Sequence, residues 1–274
     1  RWVRALQPAS LFDVDDAIWL RQPKWVGHQR PASPGRAAKF AGMCLNAALT
    51  TVGNQVLAAK ATAAGGRVLV VPTAINAQTY PERLEGQVPG LVVVWVGLPG
   101  NLQYLDPLRP VFARLMQRFP GMSLRVISSA WPDWPEVQVE RVRWSAETEQ
   151  AQLCSADIGI MPLSDDEFSR GKCAFKLLQY MAAGLPCVAS PVGANCEVVQ
   201  TGRTGLLAST PEAWEAALSA LLQDAELRLR MGREGRHRAL CDYDASVILP
   251  NMALRLAQLA DAGVDAGVEA GRGA

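Results

Sequence analysis

Short apolar runs alternate with stretches of helical periodicity along most of the 274 residues. This alternation is typical of a parallel β-sheet whose strands are joined and covered by helices. The run Leu91–Val96 (LVVVWV) is apolar at every position, as expected of a strand buried on both faces. The other strands are predicted at 10–14, 49–52, 67–71, 123–128, 137–139, 157–161 and 186–189. Helices are predicted at 36–48, 54–64, from the turn after residue 97 to about 119, at 147–155 and 172–183, near 197, and in three closing segments from about 211 to 260.

The periodicity is interrupted between residues 73 and 90, where Asn, Gln, Pro, Gly and charged residues dominate. We therefore predict a partial N-terminal Rossmann-like domain over residues 1–78 and a second Rossmann-like domain over 79–243, with five strands between 91 and 208. Residues 244–260 are predicted to form a C-terminal helix, and the low-complexity residues 261–274 a disordered tail. The first domain has about half the usual elements and the chain begins without Met, so a fragment or a processed form is expected.

Composition narrows the classes of function. Lys and Arg number 27 against 26 Asp and Glu, a net charge of +1, whereas a protein that binds nucleic acid through its phosphates normally has a basic excess. No apolar run approaches the roughly 18 residues of a membrane span, and no secretory signal opens the sequence. The six cysteines form no C-x-x-C pair and only two histidines occur, so neither a metal site nor a disulfide framework is predicted. Reduced thiols fit a cytoplasmic protein.

The segment 170–186 (RGKCAFKLLQYMAAGLP) is the most informative stretch. As a helix it has one apolar face, comprising Ala174, Leu177, Leu178 and Met181. A separate polar stripe contains Lys172, Lys176 and Gln179. Gly171 and Lys172 would lie at the helix start, where free N–H groups and the helix dipole favour an anion such as phosphate. A solvated lysine face on an ordinary amphipathic helix is equally compatible with this periodicity.

Three further motifs carry weaker signals. The loop containing Gly193 and Glu197 follows a strand, at the sheet edge where open α/β folds bind ligands, although a plain strand-to-helix turn explains it equally well. Gly97-x-x-Gly100-Asn101 resembles a dinucleotide turn but lacks the third glycine and a ribose-binding acid. The cluster Asp13, Asp15 and Asp16 is a candidate base or metal ligand set, with a solvated strand end as the favoured interpretation.

Aromatic and basic side chains add two open alternatives. Trp131 and Trp134 either stack on a base or pack a loop, and packing is favoured. The arginines at 228, 230, 233, 236 and 238 either meet an anionic membrane surface peripherally or form a solvated helix face, the favoured interpretation.

Several of these stretches occur together in one known family. Residues 94–97, 157–163, 170–195 and 201–208, in this order and spacing, make the region from Trp95 to about Tyr243 resemble the C-terminal donor-binding domain of family 4 retaining glycosyltransferases. This glycogen-synthase-like group has the GT-B fold, in which two Rossmann-like domains with parallel sheets enclose a cleft. Residues 12–19 and 52–54 resemble the later part of the family's N-terminal domain, which would be incomplete here.

The resemblance implies transfer of a sugar, with retention, from a nucleotide diphosphate donor to a glycan or lipid-linked acceptor, in cell-surface polysaccharide synthesis. No cofactor, metal or nucleic acid is implied. Lys172 and Lys176 would stabilise the leaving diphosphate, and Asp13 would lie near the sugar. Donor contacts are implied for Gly97, Gly100, Asn101, Arg170, Gly171, Gln179, Gly193 and Glu197.

Two positions depart from the family pattern. Many members have a pair of glutamates eight positions apart, where this sequence has Gly171 and Gln179. Gln179 can still accept a hydrogen bond from a ribose hydroxyl, but without charge. A nucleotide-sugar-binding module that has lost catalysis is therefore the alternative. A nicotinamide-dependent Rossmann enzyme is a third hypothesis, disfavoured by the incomplete glycine pattern.

Overall fold

The computed structural model describes residues 10–24, 26–27, 33–81 and 91–271, with side chains described as far as residue 258. Within these residues the N-terminal part contains a parallel sheet of three strands in sequence order. The strands are β1 (Leu11–Val14), β2 (Leu49–Val52) and β3 (Val68–Val70), and the helices between them are α1 (Pro34–Asn46) and α2 (Gln55–Ala63). The predicted β-α-β alternation of this part is confirmed.

The larger sheet has six parallel strands. They are β4 (Leu91–Val96), β5 (Met122–Ser128), β6 (Val139–Arg143), β7 (Ile158–Met161), β8 (Cys187–Ala189) and β9 (Gly205–Leu207), in the spatial order β6-β5-β4-β7-β8-β9. The order reverses direction between β4 and β7. Open α/β sheets form a crevice beyond the carboxyl ends of the strands at such a point. The strand order alone therefore predicts a ligand site beyond the carboxyl ends of β4 and β7.

Helices cover both faces of the large sheet. The helices of this part are α3 (Arg109–Arg118), α4 (Glu149–Cys154), α5 (Glu167–Arg170), α6 (Phe175–Ala182), α7 (Asn195–Val198), α8 (Pro211–Gln223) and α9 (Ala225–Arg238), and the chain ends with α10 (Ala245–Gly271), which lies beside the N-terminal sheet. Alternate residues of β4 explain the two layers, because side chains on a strand point to opposite faces. Val94 and Val96 join the core that includes α6, whereas Val93 and Trp95 join the core against α3 and α8. All four side chains are buried, as the apolar run predicts.

Four predicted elements differ from the structure. The strand predicted at 137–139 lies at Val139–Arg143, and β9 is a sixth strand where five were expected. The helix predicted after Gly97 is α only over Arg109–Arg118, since prolines at 99 and 107 fall in two preceding 3-10 turns. The disordered tail predicted at 261–274 stays a prediction, since α10 is described to Gly271 and residues 272–274 lie outside the described residues.

The fourth difference concerns the lysine segment. The helix predicted at 172–183 begins only at Phe175, because Ala174 has left-handed backbone angles (φ 58°) that end helical geometry on its N-terminal side. Gly171 and Lys172 therefore lie in the connection between α5 and α6, and not at a helix start as predicted. The apolar face Ala174, Leu177, Leu178 and Met181 is buried against the sheet, as predicted.

The chain crosses between the two sheets twice, at neighbouring places. Ile75, after β3, pairs with the backbone around Asp244, and the buried Asp244 carboxylate accepts a hydrogen bond from Ala77 N at 2.8 Å. Ser246 donates to the same carboxylate, and these bonds lower the pKa of Asp244. Beyond this crossing α10 runs beside β3, so the C-terminal helix returns to the N-terminal sheet.

Candidate functional site

A cleft of about 880 Å³ lies where the carboxyl ends of both sheets face each other. From the N-terminal sheet it is lined by residues that follow β1 and β3, and from the large sheet by residues that follow β4, β5, β6 and β7. The lining consists of Asp15, Asp16, Thr73, Val96, Gly97, Leu98, Pro99, Asn101, Ser129, Arg143, Trp144, Glu149, Met161, Lys172, Cys173, Ala174, Phe175, Lys176 and Gln179. Five of the residues predicted for the site lie together here, namely Gly97, Asn101, Lys172, Lys176 and Gln179.

Gly97 allows the chain after β4 to approach Lys176 closely. A Cβ atom at this position would lie 2.7 Å from the Trp95 ring and 3.0 Å from Lys176 Cε. A larger residue would collide first with the buried Trp95 ring and would also crowd Lys176, whose Nζ lies 5.6 Å from the centroid of that ring. The missing side chain at Gly97 thus leaves room for Lys176 to lie beside the Trp95 ring.

Lys176 has an altered acidity. Its burial disfavours the charged form, and the nearby positive charge of Lys172 adds to this, so the pKa falls to about 8 although Asp16 opposes the shift. An ammonium group held beside a second cation lacks a full counter-charge. A bound anion would supply that charge, so the site has an electrostatic preference for an anionic ligand.

Lys172 is held by three contacts on the connection before α6. Its Nζ lies 3.8 Å from Asp16 Oδ2 and 4.8 Å from the centroid of the Phe168 ring, and its side chain is 15% exposed. Its carbonyl oxygen accepts a hydrogen bond from Asn54 Nδ2 at 3.1 Å. The lysine is therefore fixed by residues of both domains.

The connection around Lys172 is fitted to the N-terminal domain. The Cys173 thiol donates to the carbonyl oxygen of Asp15 at 3.0 Å, and burial raises its pKa to about 12. Gly171 packs on Ala17, where a Cβ would lie 2.7 Å from the alanine Cβ. Gly171 therefore allows the two domains to pack closely. This explains why a small residue stands where many members of the resembled family have glutamate.

Gln179 is buried on the wall of the cleft, only 4% exposed. It is hydrogen-bonded to the hydroxyl group of Tyr80, whose pKa burial raises to about 12. Tyr80 lies on the segment that leads from β3 to β4, described over residues 71–81 and called the crossing segment below. Gln179 thus joins the cleft to the crossing segment, a contact that helical periodicity does not predict.

Trp144 and Glu149 line the cleft from the side of β6, and the sequence pattern does not predict them as site residues. Trp144 follows β6 and is 51% exposed, and its indole N–H donates to Glu149 Oε1 at 2.9 Å. This bond holds the ring plane while leaving ring surface open to the cleft. An exposed tryptophan that follows a strand in a Rossmann-like domain is the signal that would have found it.

Trp131 and Trp134, the two tryptophans predicted as candidates, pack instead. Trp134 is buried in the core between the sheet and α3, and the half-buried Trp131 donates its indole N–H to Val126 O at 3.0 Å. The favoured interpretation, loop packing, is therefore correct.

Other predicted site residues lie outside the cleft. Asp13 is on β1, where its carboxylate accepts a hydrogen bond from Thr51 on β2, while Asp15 and Asp16 reach the cleft. Glu197 is exposed on α7, and its carbonyl oxygen accepts a bond from Arg238. The structure brings neither Asp13 nor Glu197 to the lysine pair.

Three further residues predicted for the site, Arg170, Gly193 and Gly100, do not line the cleft. Arg170 is exposed and forms an ion pair with Asp165 at 2.6 Å. Gly193 has φ +52°, and a Cβ there would lie 2.5 Å from the Arg170 carbonyl oxygen. The predicted glycine loop therefore packs against the C-terminal end of α5. Gly100 lies at the edge of the cleft, on the wall of a neighbouring cavity.

The arginine-rich helix α9 is anchored to the protein. Arg228 donates to the carbonyls of Leu221 and Leu222, and Arg236 donates to those of Ala182 and Tyr80. These side chains hold α9 to α8, α6 and the crossing segment. Among the described residues, none of the helices is long and apolar enough to cross a membrane. Nor, in the same residues, do three His, Cys, Asp or Glu side chains gather as a metal site would require.

Comparison with known proteins agrees with the predicted class. Residues 90–224 match the family model described as Glycosyl transferases group 1. The D-inositol 3-phosphate glycosyltransferase of Corynebacterium glutamicum is 31% identical over an alignment of 167 residues that covers 54% of this chain and 39% of that protein. The enzyme of the same name from Corynebacterium urealyticum is 30% identical over an alignment of 159 residues that covers 50% of this chain and 36% of that protein. The matches thus span less than half the length of these curated relatives.

Solved structures resemble the chain over nearly its whole length. Sucrose-phosphate synthase from Thermosynechococcus elongatus superposes with a TM-score of 0.74 at 17% identity, covering 95% of this chain and 71% of that one. HepE from Anabaena, in complex with UDP and glucose, gives a TM-score of 0.66 at 17% identity, covering 90% and 71%. The predicted fold class is confirmed: the protein is an α/β protein of GT-B type, with two parallel sheets facing across a cleft.

Proposed function

We propose that this protein is a glycosyltransferase that binds a nucleotide diphosphate sugar in the cleft and transfers the sugar to a glycan or lipid-linked acceptor. One observation carries the proposal. Two lysines, one of them with a pKa lowered to about 8, lie at the point where the strand order of the large sheet reverses. The family match over residues 90–224 and the D-inositol 3-phosphate glycosyltransferase relatives support the same class of reaction.

The diphosphate would lie between Lys172 and Lys176 on one side and the turn Gly97–Asn101 on the other. In the reaction the bond between the sugar C1 and the phosphate oxygen breaks, and its electron pair stays on the diphosphate. The acceptor hydroxyl oxygen forms a bond to C1 and its proton passes to the leaving diphosphate. Both lysines would stabilise the charge that develops on that group, and fixed cations in a half-buried cleft do so effectively.

The nucleoside would extend towards β6, with its base against Trp144. The ring surface of this residue is available and its plane is held by Glu149. Stacking on such a ring is worth about 1–3 kcal/mol per base. Gln179 lies between the lysines and this end, where it would meet the ribose hydroxyls.

Retention at the anomeric carbon is part of the proposal and follows the resemblance stated above. Asp16 is the carboxylate beside Lys172 in the cleft. Asp16, and not Asp13, would therefore lie near the sugar of the donor. A role in cell-surface polysaccharide synthesis rests on the same resemblance, and a cytoplasmic location rests on the reduced thiols predicted from the cysteine pattern.

The test begins with ligand binding. We expect thermal unfolding of the chain to shift upwards with one of UDP, GDP, ADP or TDP and not with NAD, since a ligand at about 100 times its dissociation constant stabilises a protein by roughly 2.7 kcal/mol. Lys176→Ala should remove the shift, whereas Lys39→Ala, an exposed lysine outside the cleft, should keep it. A shift with NAD alone, or an equal shift in both variants, would contradict the proposal.

The alternative, a binding module without catalysis, is favoured by one specific feature, the uncharged pair Gly171 and Gln179. Incubation of the nucleotide sugar identified above with candidate acceptors separates the two functions. Glycosylated product, with its anomeric configuration determined by NMR, supports the transferase. Tight donor binding without transfer or donor hydrolysis supports the module.

A further inference from the structure

A second cavity of about 880 Å³ adjoins the cleft on the side of the N-terminal domain. Its wall consists mainly of the loop after β1, from Asp16 to Lys24, completed by one residue of α1, one of α5 and the turn after β4. The lining residues are Asp16, Ala17, Ile18, Leu20, Arg21, Gln22, Pro23, Lys24, Arg36, Gly100 and Phe168. The donor as proposed above does not occupy this space.

The two spaces meet at Asp16 and at the turn after β4. Asp16 lines both, and Gly100 and Asn101 lie on opposite sides of the same turn. Gln22 Nε2 donates to Asn101 Oδ1 at 2.9 Å, so the loop after β1 is attached directly to the wall of the cleft. A molecule in the second cavity would therefore have one end next to the sugar of a bound donor.

The charges of the second cavity have one prevailing sign. Arg21, Lys24 and Arg36 contribute three cations, and Asp16, its one carboxylate, lies 3.8 Å from Lys172 Nζ. Among the described residues, no ion pair joins any of these three cations to a carboxylate. The potential in the cavity is therefore positive, which favours an anionic ligand.

The three cations differ in how firmly hydrogen bonds hold their side chains. Arg36 donates through Nη1 to the carbonyls of Ile18 (3.4 Å) and Leu20 (3.1 Å), which fixes the loop to α1. Arg21 and Lys24 are exposed on the loop, and no hydrogen bond from either side chain to another described residue is found. They are the groups available to a ligand, while Arg36 shapes the wall.

Apolar surface accompanies the charge. Ile18 is 43% exposed, and Leu20, Pro23 and Phe168 line the same cavity. Apolar faces beside a cationic rim suit a sugar ring or a polyol that carries an anionic substituent.

We propose that this cavity is the acceptor site and that it selects an acceptor bearing an anionic group, a phosphate or a carboxylate, which contacts Arg21 and Lys24. The inference rests on the proposed function for the name acceptor, but the binding of an anion in this cavity can be tested separately. Either a free sugar or a lipid headgroup supplies the anionic group, and the probes below distinguish these sources.

The experiment measures binding to the full chain by calorimetry, with and without UDP at saturation. The probes are glucose 6-phosphate, glucuronate and glucose, together with phosphatidylcholine vesicles prepared with and without phosphatidylinositol. Saturating UDP occupies the nucleoside and phosphate parts of the cleft, and the variants below assign the binding that persists to the second cavity. If none of UDP, GDP, ADP and TDP binds, the proposed function fails, and the variants still decide this inference.

The variants are Arg21→Glu combined with Lys24→Glu, with Lys39→Glu as the matched control outside both cavities. We expect an anionic probe to bind about tenfold more tightly than glucose, and the double variant to lose this preference while its melting temperature stays unchanged. The preference should also weaken as salt is raised. The probe that binds best, sugar or vesicle, identifies the source of the anion. Equal affinity for glucose and the anions, no binding of any anionic probe, or an unchanged preference in the double variant would overturn the proposal.

Discussion

Asn54 and Lys172 are joined across the cleft by a hydrogen bond of 3.1 Å from the asparagine Nδ2 to the lysine carbonyl oxygen. The same amide nitrogen donates to Gly171 O at 3.2 Å, and the amide oxygen accepts from Leu57 N at 2.9 Å as the N-cap of α2. One side chain thus starts a helix in the N-terminal domain and positions Lys172 of the other domain, which we propose to contact the diphosphate.

These two roles can be separated by substitution. Asn54→Ser keeps an oxygen that can cap α2 but removes both donors to the lysine connection. We expect a loss of about 1–2 kcal/mol in unfolding free energy, because two hydrogen bonds are lost, together with weaker UDP binding. Asn54→Ala should lose the cap as well and be the less stable variant. If Asn54→Ser bound UDP as tightly as the wild type, Lys172 would be held by other contacts.

The lowered pKa of Lys176 makes binding depend on pH. The ammonium form predominates below about pH 8 and is lost as the pH rises through the pKa. Affinity for UDP should therefore be nearly constant up to about pH 7 and should fall as the pH rises through about 8. Lys176→Arg stays charged throughout this range, so its affinity should be flat up to about pH 10. Titration calorimetry at several pH values measures both, and parallel curves for the two proteins would exclude Lys176 as the titrating group.

Trp144 provides a test of how the nucleoside lies. Trp144→Ala should weaken UDP binding by about 1–3 kcal/mol, since base stacking contributes that amount. Trp144→Phe keeps an aromatic face and should retain most of the affinity, although it loses the bond to Glu149. The dissociation constants of the two variants decide the matter, and equal losses would mean that the indole N–H, and not the ring face, is what binding requires.

The left-handed backbone of Ala174 limits what this position accepts. Ala174→Gly relieves about 1–2 kcal/mol of strain and removes one buried methyl group, so stability should stay within about 1 kcal/mol of the wild type. Ala174→Val should destabilise the protein by at least about 2 kcal/mol, because a β-branched residue suits neither the backbone angles nor the packed site. Urea unfolding of both variants checks this, and a stable Val variant would show that the connection can adopt another conformation.

The buried face of α6 is tested by a charge. Leu178→Asp places a carboxylate against the large sheet and should prevent folding, whereas Leu249→Asp, at a leucine that is 54% exposed, should be tolerated. Circular dichroism and thermal unfolding of the two variants provide the comparison. A folded Leu178→Asp variant would contradict the core described here.

The strands of the large sheet could be read from the sequence because burial on both faces leaves a run such as Leu91–Val96 without polar residues. The resemblance across residues 170–195 also brought together Lys172, Lys176 and Gln179, which are close along the chain. The sequence placed Gly171 and Lys172 at a helix start, however, because periodicity continues through Ala174 and does not reveal a left-handed residue. The resemblance pointed to Asp13, and the sequence does not reveal that the Asp13 carboxylate accepts a hydrogen bond from Thr51 on β2 while Asp16 lines the cleft.

What the sequence determined by itself is therefore local: the alternation of strands and helices, the apolar face of α6, and a family pattern that predicts a nucleotide-sugar cleft. Tertiary structure decided which distant residues meet. Asn54 reaches Lys172, Gln22 reaches Asn101, and Arg21 and Lys24 come to line a cavity beside Gly100. These contacts join residues about 80 to 120 positions apart, and local periodicity carries no information about such pairs. The physical reason is that two sheets facing each other at their carboxyl ends bring loops together by topology, whatever their distance along the chain.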